Sequence, residues 1–120
     1  MALIRPAIHR QLDFVTVAAF ALAPFVLSLS GPAAWLAWVL AGVHLVMTLA
    51  TAFSAGSTRP VPLRAHGVVE LLVGIVLLVL PLAVGWSGAA RWFYLAAGGV
   101  ILVVRLASRY DQAPPGGGAA

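Results

Sequence analysis

The hydrophobic positions of the chain fall into four long runs that short polar or turn-forming segments separate. The runs cover about residues 12–29, 35–53, 68–86 and 92–107. Each has about 16 to 19 residues, close to the ~20 that a helix needs to cross the ~30 Å hydrocarbon core of a membrane. The pattern therefore predicts four transmembrane helices.

The runs are apolar around the whole helix circumference, which distinguishes them from other elements. A helix on a soluble surface shows a polar face opposite its apolar stripe, and a membrane strand alternates apolar with polar residues. The third run, GVVELLVGIVLLVLPLAV, does neither. The predicted fold class is all-α, a four-transmembrane-helix bundle. Pro24 and Pro81 lie inside the first and third runs, where membrane helices tolerate proline, and we expect a kink at each.

The second half of the chain repeats the first at an offset of 57 residues, which aligns SGPAAW at 30–35 with SGAARW at 87–92. Scarce residue types coincide at the same offset: His9 with His66, Asp13 with Glu70, Pro24 with Pro81, Trp35 with Trp92, and Gly42 with Gly99. Because each unit holds two spans, we expect two tandem hairpins related by a pseudo-two-fold axis along the membrane normal. The predicted membrane domain covers residues 1–110, with repeats at about 9–54 and 64–108 and a disordered tail at 111–120.

Composition and charge support this topology and add an orientation. Hydrophobic residues make up 62% and charged residues 8% of the chain, against about a quarter charged in soluble proteins. Six of the seven arginines lie before the first run, between the second and third, or in and after the last turn of the fourth. The excess of arginine on one side predicts cytoplasmic termini and a cytoplasmic middle loop, in the inner (plasma) membrane.

The same composition excludes several classes of function. The chain has no cysteine, which excludes disulfides and thiolate metal sites. Its net charge of +4 comes from arginines beside apolar runs, so we expect lipid headgroups rather than nucleic acid as partners. The serines of the two Ser-Gly turns lie across the membrane from His9 and His66, and no lysine is present. We therefore expect no enzymatic activity and no cofactor.

Both halves contain an acid near a helix start, a late proline, and then Ser-Gly and Trp opening the next helix. In this order of residues the chain resembles the SPW-repeat membrane proteins of bacteria, over about residues 11–107. The triplet of that family reads Ala23-Pro24-Phe25 and Leu80-Pro81-Leu82 here, which keeps the proline. The third run also resembles small acid-resistance proteins that repeat a Gly-rich, Pro-ended hairpin. The resemblance implies a small polytopic membrane protein and brings no catalytic residue with it.

Ionisable side chains in or beside the runs form a candidate polar set of five residues: His9, Asp13, His44, His66 and Glu70. In both His9–Asp13 and His66–Glu70 the spacing is i, i+4, so each pair shares a helix face, and the pseudo-two-fold axis brings the pairs together. Three roles stay open: local pairing near helix N-termini, a zinc, iron or haem site, and a polar route for protons or a substrate. His44 breaks the repeat, because the second copy has isoleucine there.

The remaining distinctive residues have structural interpretations. We expect Trp35, Trp92 and Arg91 to anchor the second and fourth helices at the far membrane interface. Gly42 and Gly99 give these helices small faces, which favours close helix packing or a homodimer seam.

The expected function follows from the lack of a convergent reactive site. We expect a non-enzymatic structural or accessory protein, whose partners are the lipid bilayer and a second copy or another membrane protein. One alternative is a small transporter or channel with a polar route near Glu70 and His44. Another is a metal- or haem-binding membrane protein.

Overall fold

A computed structural model describes residues 3–111, which form four helices and one short strand pair. The helices are α1 (Pro6–Val26), α2 (Gly31–Ala50), α3 (Leu63–Ala83) and α4 (Gly88–Ala107). Strands β1 (Thr51–Ala52) and β2 (Val61–Pro62) pair in parallel between α2 and α3. The prediction of an all-α fold is confirmed at this level. The tail predicted to be disordered, residues 111–120, lies outside the described residues except for Asp111.

Every helix begins four to six residues before the corresponding apolar run. Helix starts depend on backbone conformation rather than on hydropathy. At the start of α1, Arg5 is an N-cap with an extended backbone, and Pro6 follows at the first helical position. Proline fits there because the first N–H groups of a helix have no partner within the helix. The first three helices end three residues before their runs do. The apolar runs therefore mark where the surface is apolar, not where the helices begin and end.

The turns that follow α1 and α3 share one backbone design. The Leu29 N–H donates to the Pro24 carbonyl at 3.0 Å, and the Trp86 N–H donates to the Pro81 carbonyl at 2.9 Å. Each proline lies two residues before the end of its helix. Its carbonyl accepts a hydrogen bond from the turn that follows. Gly31 and Gly88 then open the next helices at positive φ, 56° and 60°, a conformation that favours glycine.

Three helices, α2, α3 and α4, are long and apolar enough to cross a membrane. Helix α1 has 21 residues, but its first two turns contain His9, Arg10, Gln11 and Asp13. The outer surface of the molecule is apolar on all four helices, with examples at Val15, Val46, Leu72 and Val103, all between 58% and 66% exposed. These features fit a protein that lies in a membrane.

The core forms where the two hairpins meet. Helix α1 packs along α2, and α3 packs along α4. Side chains from all four helices fill the space between them: Phe20, Ala33, Ala37, Ala41, Leu77, Tyr94 and Ile101. The Tyr94 hydroxyl donates to the Ala33 carbonyl and so joins α4 to α2. The three alanines are spaced by four residues on one face of α2, which lets the other hairpin approach closely.

The close approach between α3 and α4 occurs at Gly98, not at Gly99. A Cβ atom at Gly98 would lie 2.9 Å from the Gly74 carbonyl oxygen, whereas one at Gly42 or Gly99 would meet nothing within 4 Å among the described residues. Within the described chain nothing packs closely on Gly42 or Gly99, and their role in helix packing stays a prediction. One residue turns a helix by about 100°, so Gly98 faces α3 while Gly99 points away from it. A homodimer seam at these glycines stays a prediction.

The predicted interface residues lie at the start of α2 and α4. Trp35 and Trp92 are each 67% exposed, and the Arg91 guanidinium lies over the Trp92 ring, 5.7 Å from its centre. All three side chains are at the end of the molecule that carries the Ser-Gly turns. Their contact with a membrane interface stays a prediction.

Candidate functional site

The structure brings all five residues of the candidate polar set together at one end of the helices. They form what we call the polar centre: His9 and Asp13 from α1, His66 and Glu70 from α3, and His44 from α2. The i, i+4 spacing places each His and acid pair on one face, as the sequence indicates. Four of the five residues are at most 4% exposed, and the His44 side chain is 12% exposed. The centre is therefore buried between the hairpins.

Within the polar centre, the imidazoles of His9 and His66 each contact the acid of the other hairpin as well as their own. The His9 Nε2 atom is 2.8 Å from Glu70 Oε1, and the His66 Nε2 atom is 3.0 Å from Asp13 Oδ2. The contacts within each hairpin measure 3.4 Å for His9 with Asp13 and 3.0 Å for His66 with Glu70. The exchanged contacts link α1 to α3 where all four side chains are buried.

His44 joins the centre through Asp13. Its Nε2 atom lies 3.4 Å from Asp13 Oδ1, so the Asp13 carboxylate is within reach of three imidazoles. The symmetry break that the sequence shows at His44 therefore adds a third imidazole on one side of the centre. The hydroxyl of Thr48 donates to the His44 carbonyl and does not contact the polar centre through any side-chain bond that the structure describes.

Thr51 fixes the orientation of the His66 ring, a role that the sequence does not predict. The Thr51 hydroxyl donates its hydrogen to the Met47 carbonyl, and its oxygen lies 2.7 Å from His66 Nδ1. Because the hydroxyl hydrogen is already used, the Thr51 oxygen accepts, and the donor is the Nδ1–H of His66. The Nε2 atom of His66 is therefore the one directed at the two carboxylates.

Two aromatic rings cover the polar centre from the segments that follow α2 and α4. The Phe53 ring lies 5.4 Å from the His66 ring, and the Tyr110 ring lies 5.5 Å from the His9 ring, both edge-on. The Tyr110 hydroxyl donates to Glu70 Oε1 at 3.4 Å. Burial, and next the negative charge of Glu70, raises the pKa of Tyr110, so the phenol stays a hydrogen-bond donor. The 57-residue offset relates Phe53 to Tyr110 and would have pointed to this pair.

Several polar atoms in the centre lack a hydrogen-bond partner within the described chain. These atoms are His9 Nδ1, Asp13 Oδ2 and His66 Nε2. His66 Nε2 is 3.0 Å from both Asp13 Oδ2 and Glu70 Oε1, but neither oxygen lies in the direction that an N–H bond would take. The His66 Nε2 atom is thus at ion-pair distance from both carboxylate oxygens without hydrogen-bond geometry. Buried polar groups of this kind indicate a missing partner.

Space for solvent beside the polar centre is small. A cavity of about 20 Å³ adjoins His44, His66 and Glu70, and apolar side chains of α2 and α3 complete its wall. Such a volume holds about one water molecule. The polar centre therefore lies in nearly dry protein.

Comparison of the chain with protein-family models, with curated proteins and with solved structures gives no match. The similarity to the SPW-repeat proteins therefore rests on the residues quoted above and stays a prediction.

Proposed function

We propose that the chain is a four-span integral membrane protein with cytoplasmic termini, that it has a structural or accessory role, and that it lacks enzymatic activity. One observation carries the proposal: ionisable side chains lie inside the molecule and apolar side chains lie on its outer surface. The ionisable side chains of the polar centre are buried and contact one another, while large apolar side chains cover the outside. A soluble protein of this size would bury its apolar side chains and expose its charges.

Helix α1 fits the proposed fourth span despite its polar start. Its 21 residues reach about 32 Å at 1.5 Å per residue, enough for the hydrocarbon core. His9 and Asp13 face α3 rather than lipid, which is how membrane helices carry ionisable groups. Further along the helix, Val15 and Leu22 are exposed, at 64% and 57%.

The proposed tandem repeat is supported by the backbone as well as by the sequence. The bounds of α3 and α4 equal those of α1 and α2 shifted by 57 residues. The parallel bridges follow the same shift, because Thr51 pairs with Val61 and Ser108 pairs with Ile4. The segment that leaves each hairpin thus pairs with the segment that enters the other.

A structural role is favoured by what the polar centre contacts. Its imidazoles and carboxylates bind each other across the hairpins, and the adjoining cavity of about 20 Å³ is too small for a continuous water-filled route. The Ser-Gly turns lie at the opposite end of the helices from the polar centre. The serines of these turns therefore do not meet an imidazole base.

The proposed orientation predicts the outcome of cysteine labelling, since the chain has no native cysteine. Thr58 lies in the exposed middle loop, and Ser87 is an exposed N-cap without a side-chain capping bond. In intact cells, a membrane-impermeant maleimide should label the Ser87→Cys variant and should leave the Thr58→Cys variant unlabelled until the membrane is opened. Labelling of the Thr58→Cys variant from outside would contradict the orientation.

The proposed role predicts that proton flux does not depend on the polar centre. In proteoliposomes with a pH gradient, the Glu70→Gln and His44→Leu variants should give the same flux as the wild type and as protein-free vesicles. A wild-type flux above the vesicle background that either substitution reduces would favour a transporter instead. Size-exclusion profiles and helical circular dichroism check that each variant is folded.

A further inference from the structure

We propose that the polar centre binds one divalent transition-metal ion, with His9 and His66 as imidazole ligands and Asp13 and Glu70 as carboxylate ligands. This inference goes beyond the structural role proposed above. It depends on the geometry of the centre and is independent of the membrane orientation.

The four ligand atoms already lie at separations that suit a single ion. One ligand atom from each of the four residues falls within 4.8 Å of the others. The imidazole Nε2 atoms lie 2.8–3.4 Å from Glu70 Oε1 and from one or the other oxygen of Asp13. Ligands 2.0–2.2 Å from one tetrahedral ion are about 3.3–3.6 Å apart. Shifts of several tenths of an ångström, outward for the close pairs and inward for the distant ones, would therefore place the four atoms around one ion.

The orientation of His66 provides a second, independent observation. Its Nδ1–H is held by Thr51, which leaves Nε2 as the free ligand atom of a neutral imidazole. This nitrogen and Asp13 Oδ2 are buried without a hydrogen-bond partner in the described chain, although they are 3.0 Å apart. A neutral imidazole nitrogen and a carboxylate oxygen both carry lone pairs and repel each other at this distance, and a cation bound to both would turn that repulsion into coordination.

The charge of the centre also matches a divalent cation. Two carboxylates and two neutral imidazoles carry a charge of −2, so a divalent ion makes the buried site neutral, as burial requires. Imidazole with carboxylate suits Zn²⁺, Fe²⁺ or Mn²⁺, whereas Mg²⁺ and Ca²⁺ prefer all-oxygen sites. His44 contacts Asp13 alone among the four ligands, and we assign it as a positioning residue for that carboxylate.

Metal analysis of the purified full-length protein in detergent tests the inference, with Zn²⁺ as the probe. Isothermal titration of chelator-treated protein should show about one Zn²⁺ per chain and no heat with Mg²⁺. Substituted Co²⁺ should give the visible absorption of a nitrogen- and oxygen-ligated ion. The His9→Gln and Glu70→Gln variants, which each remove a ligand, should bind Zn²⁺ more than about 100-fold more weakly.

Two threonines provide a matched control for the positioning role of Thr51. Thr48 and Thr51 are both fully buried and both donate to the carbonyl four residues earlier, but Thr51 also holds His66. The Thr51→Val substitution should weaken Zn²⁺ binding about 10–100-fold and shift the Co²⁺ spectrum. The Thr48→Val substitution should change neither. Because both lose the same backbone bond, a shared loss of stability cancels in the comparison.

Folded wild-type protein that binds no Zn²⁺, and whose unfolding temperature Zn²⁺ does not raise, would overturn the inference. Equal Zn²⁺ affinity in the Thr51→Val and Thr48→Val variants would overturn the ligand role of His66 Nε2. In the first case protonated imidazoles, rather than a metal ion, would balance the carboxylates. The cysteine labelling and flux results would be unaffected, so failure of the metal site is distinguishable from failure of the proposed function.

Discussion

Replacing Asp13 with alanine is expected to lower the free energy of unfolding by about 3–5 kcal/mol. Asp13 is 2% exposed and lies 3.0–3.4 Å from the Nε2 atoms of His9, His44 and His66. Removing it leaves Glu70 as the remaining buried acid beside His9 and His66 and leaves His44 without its carboxylate partner. The loss arises because buried polar groups without partners cannot recover their hydration. Unfolding in mixed micelles, followed by circular dichroism, measures the change.

Asp111 provides the control for this substitution. Its side chain is 90% exposed and lies 3.6 Å from the Arg64 guanidinium, which is itself 83% exposed. An exposed ion pair contributes about 0–1 kcal/mol, so Asp111→Ala should leave the unfolding curve almost unchanged. Equal effects of Asp13→Ala and Asp111→Ala would show that the polar centre does not hold the hairpins together.

Much of the fold could be predicted because hydropathy identifies whole apolar helices and the repeat relates one helical hairpin to the other. The offset that aligns SGPAAW with SGAARW also relates the bounds of the four helices in the structure. Helix starts could not be predicted from the apolar runs, because the first turns hold polar side chains that the bundle interior accommodates. The first two turns of α1, with His9, Arg10 and Asp13, are the clearest case.

The polar centre could be predicted in part from the spacing of its residues and from the repeat. Spacing by four residues places His9 with Asp13, and the repeat brings His66 and Glu70 towards them. The contact of His44 with Asp13 depends on the rotation of α2 about its own axis, which an all-apolar helix does not reveal. Thr51 and Tyr110 contribute from the segments after α2 and α4, where no helical period indicates which way a side chain points.

The repeat alignment identifies equivalent glycine positions rather than the glycines that make contacts within the chain. Gly42 and Gly99 align at the 57-residue offset, yet both face open space in the described chain. Gly74 and Gly98, which have no glycine partner at that offset, make the close contact between α3 and α4. Packing within a hairpin is therefore not identical in the two halves, even where the helix bounds correspond.

The Gly98→Ala substitution is expected to destabilise the protein by about 1–3 kcal/mol, the usual cost of overpacking a tight contact. The new Cβ would lie 2.9 Å from the Gly74 carbonyl oxygen and 3.1 Å from both Leu77 Cβ and the Leu78 backbone nitrogen. Backbone atoms cannot change rotamer to make room. Helix α4 must therefore move away from α3 along the hairpin, and unfolding in mixed micelles should occur at lower denaturant.

The neighbouring substitution Gly99→Ala separates packing from helix propensity. Both substitutions replace glycine by alanine inside α4, which favours the helix by about 1 kcal/mol. At Gly99 the added Cβ meets nothing within 4 Å in the described chain, so this variant should be as stable as the wild type or more stable. The difference between the two variants then measures the contact of α4 with α3 alone. Equal destabilisation by both would mean that another partner packs on Gly99, and a second copy of the chain at that face would be that partner.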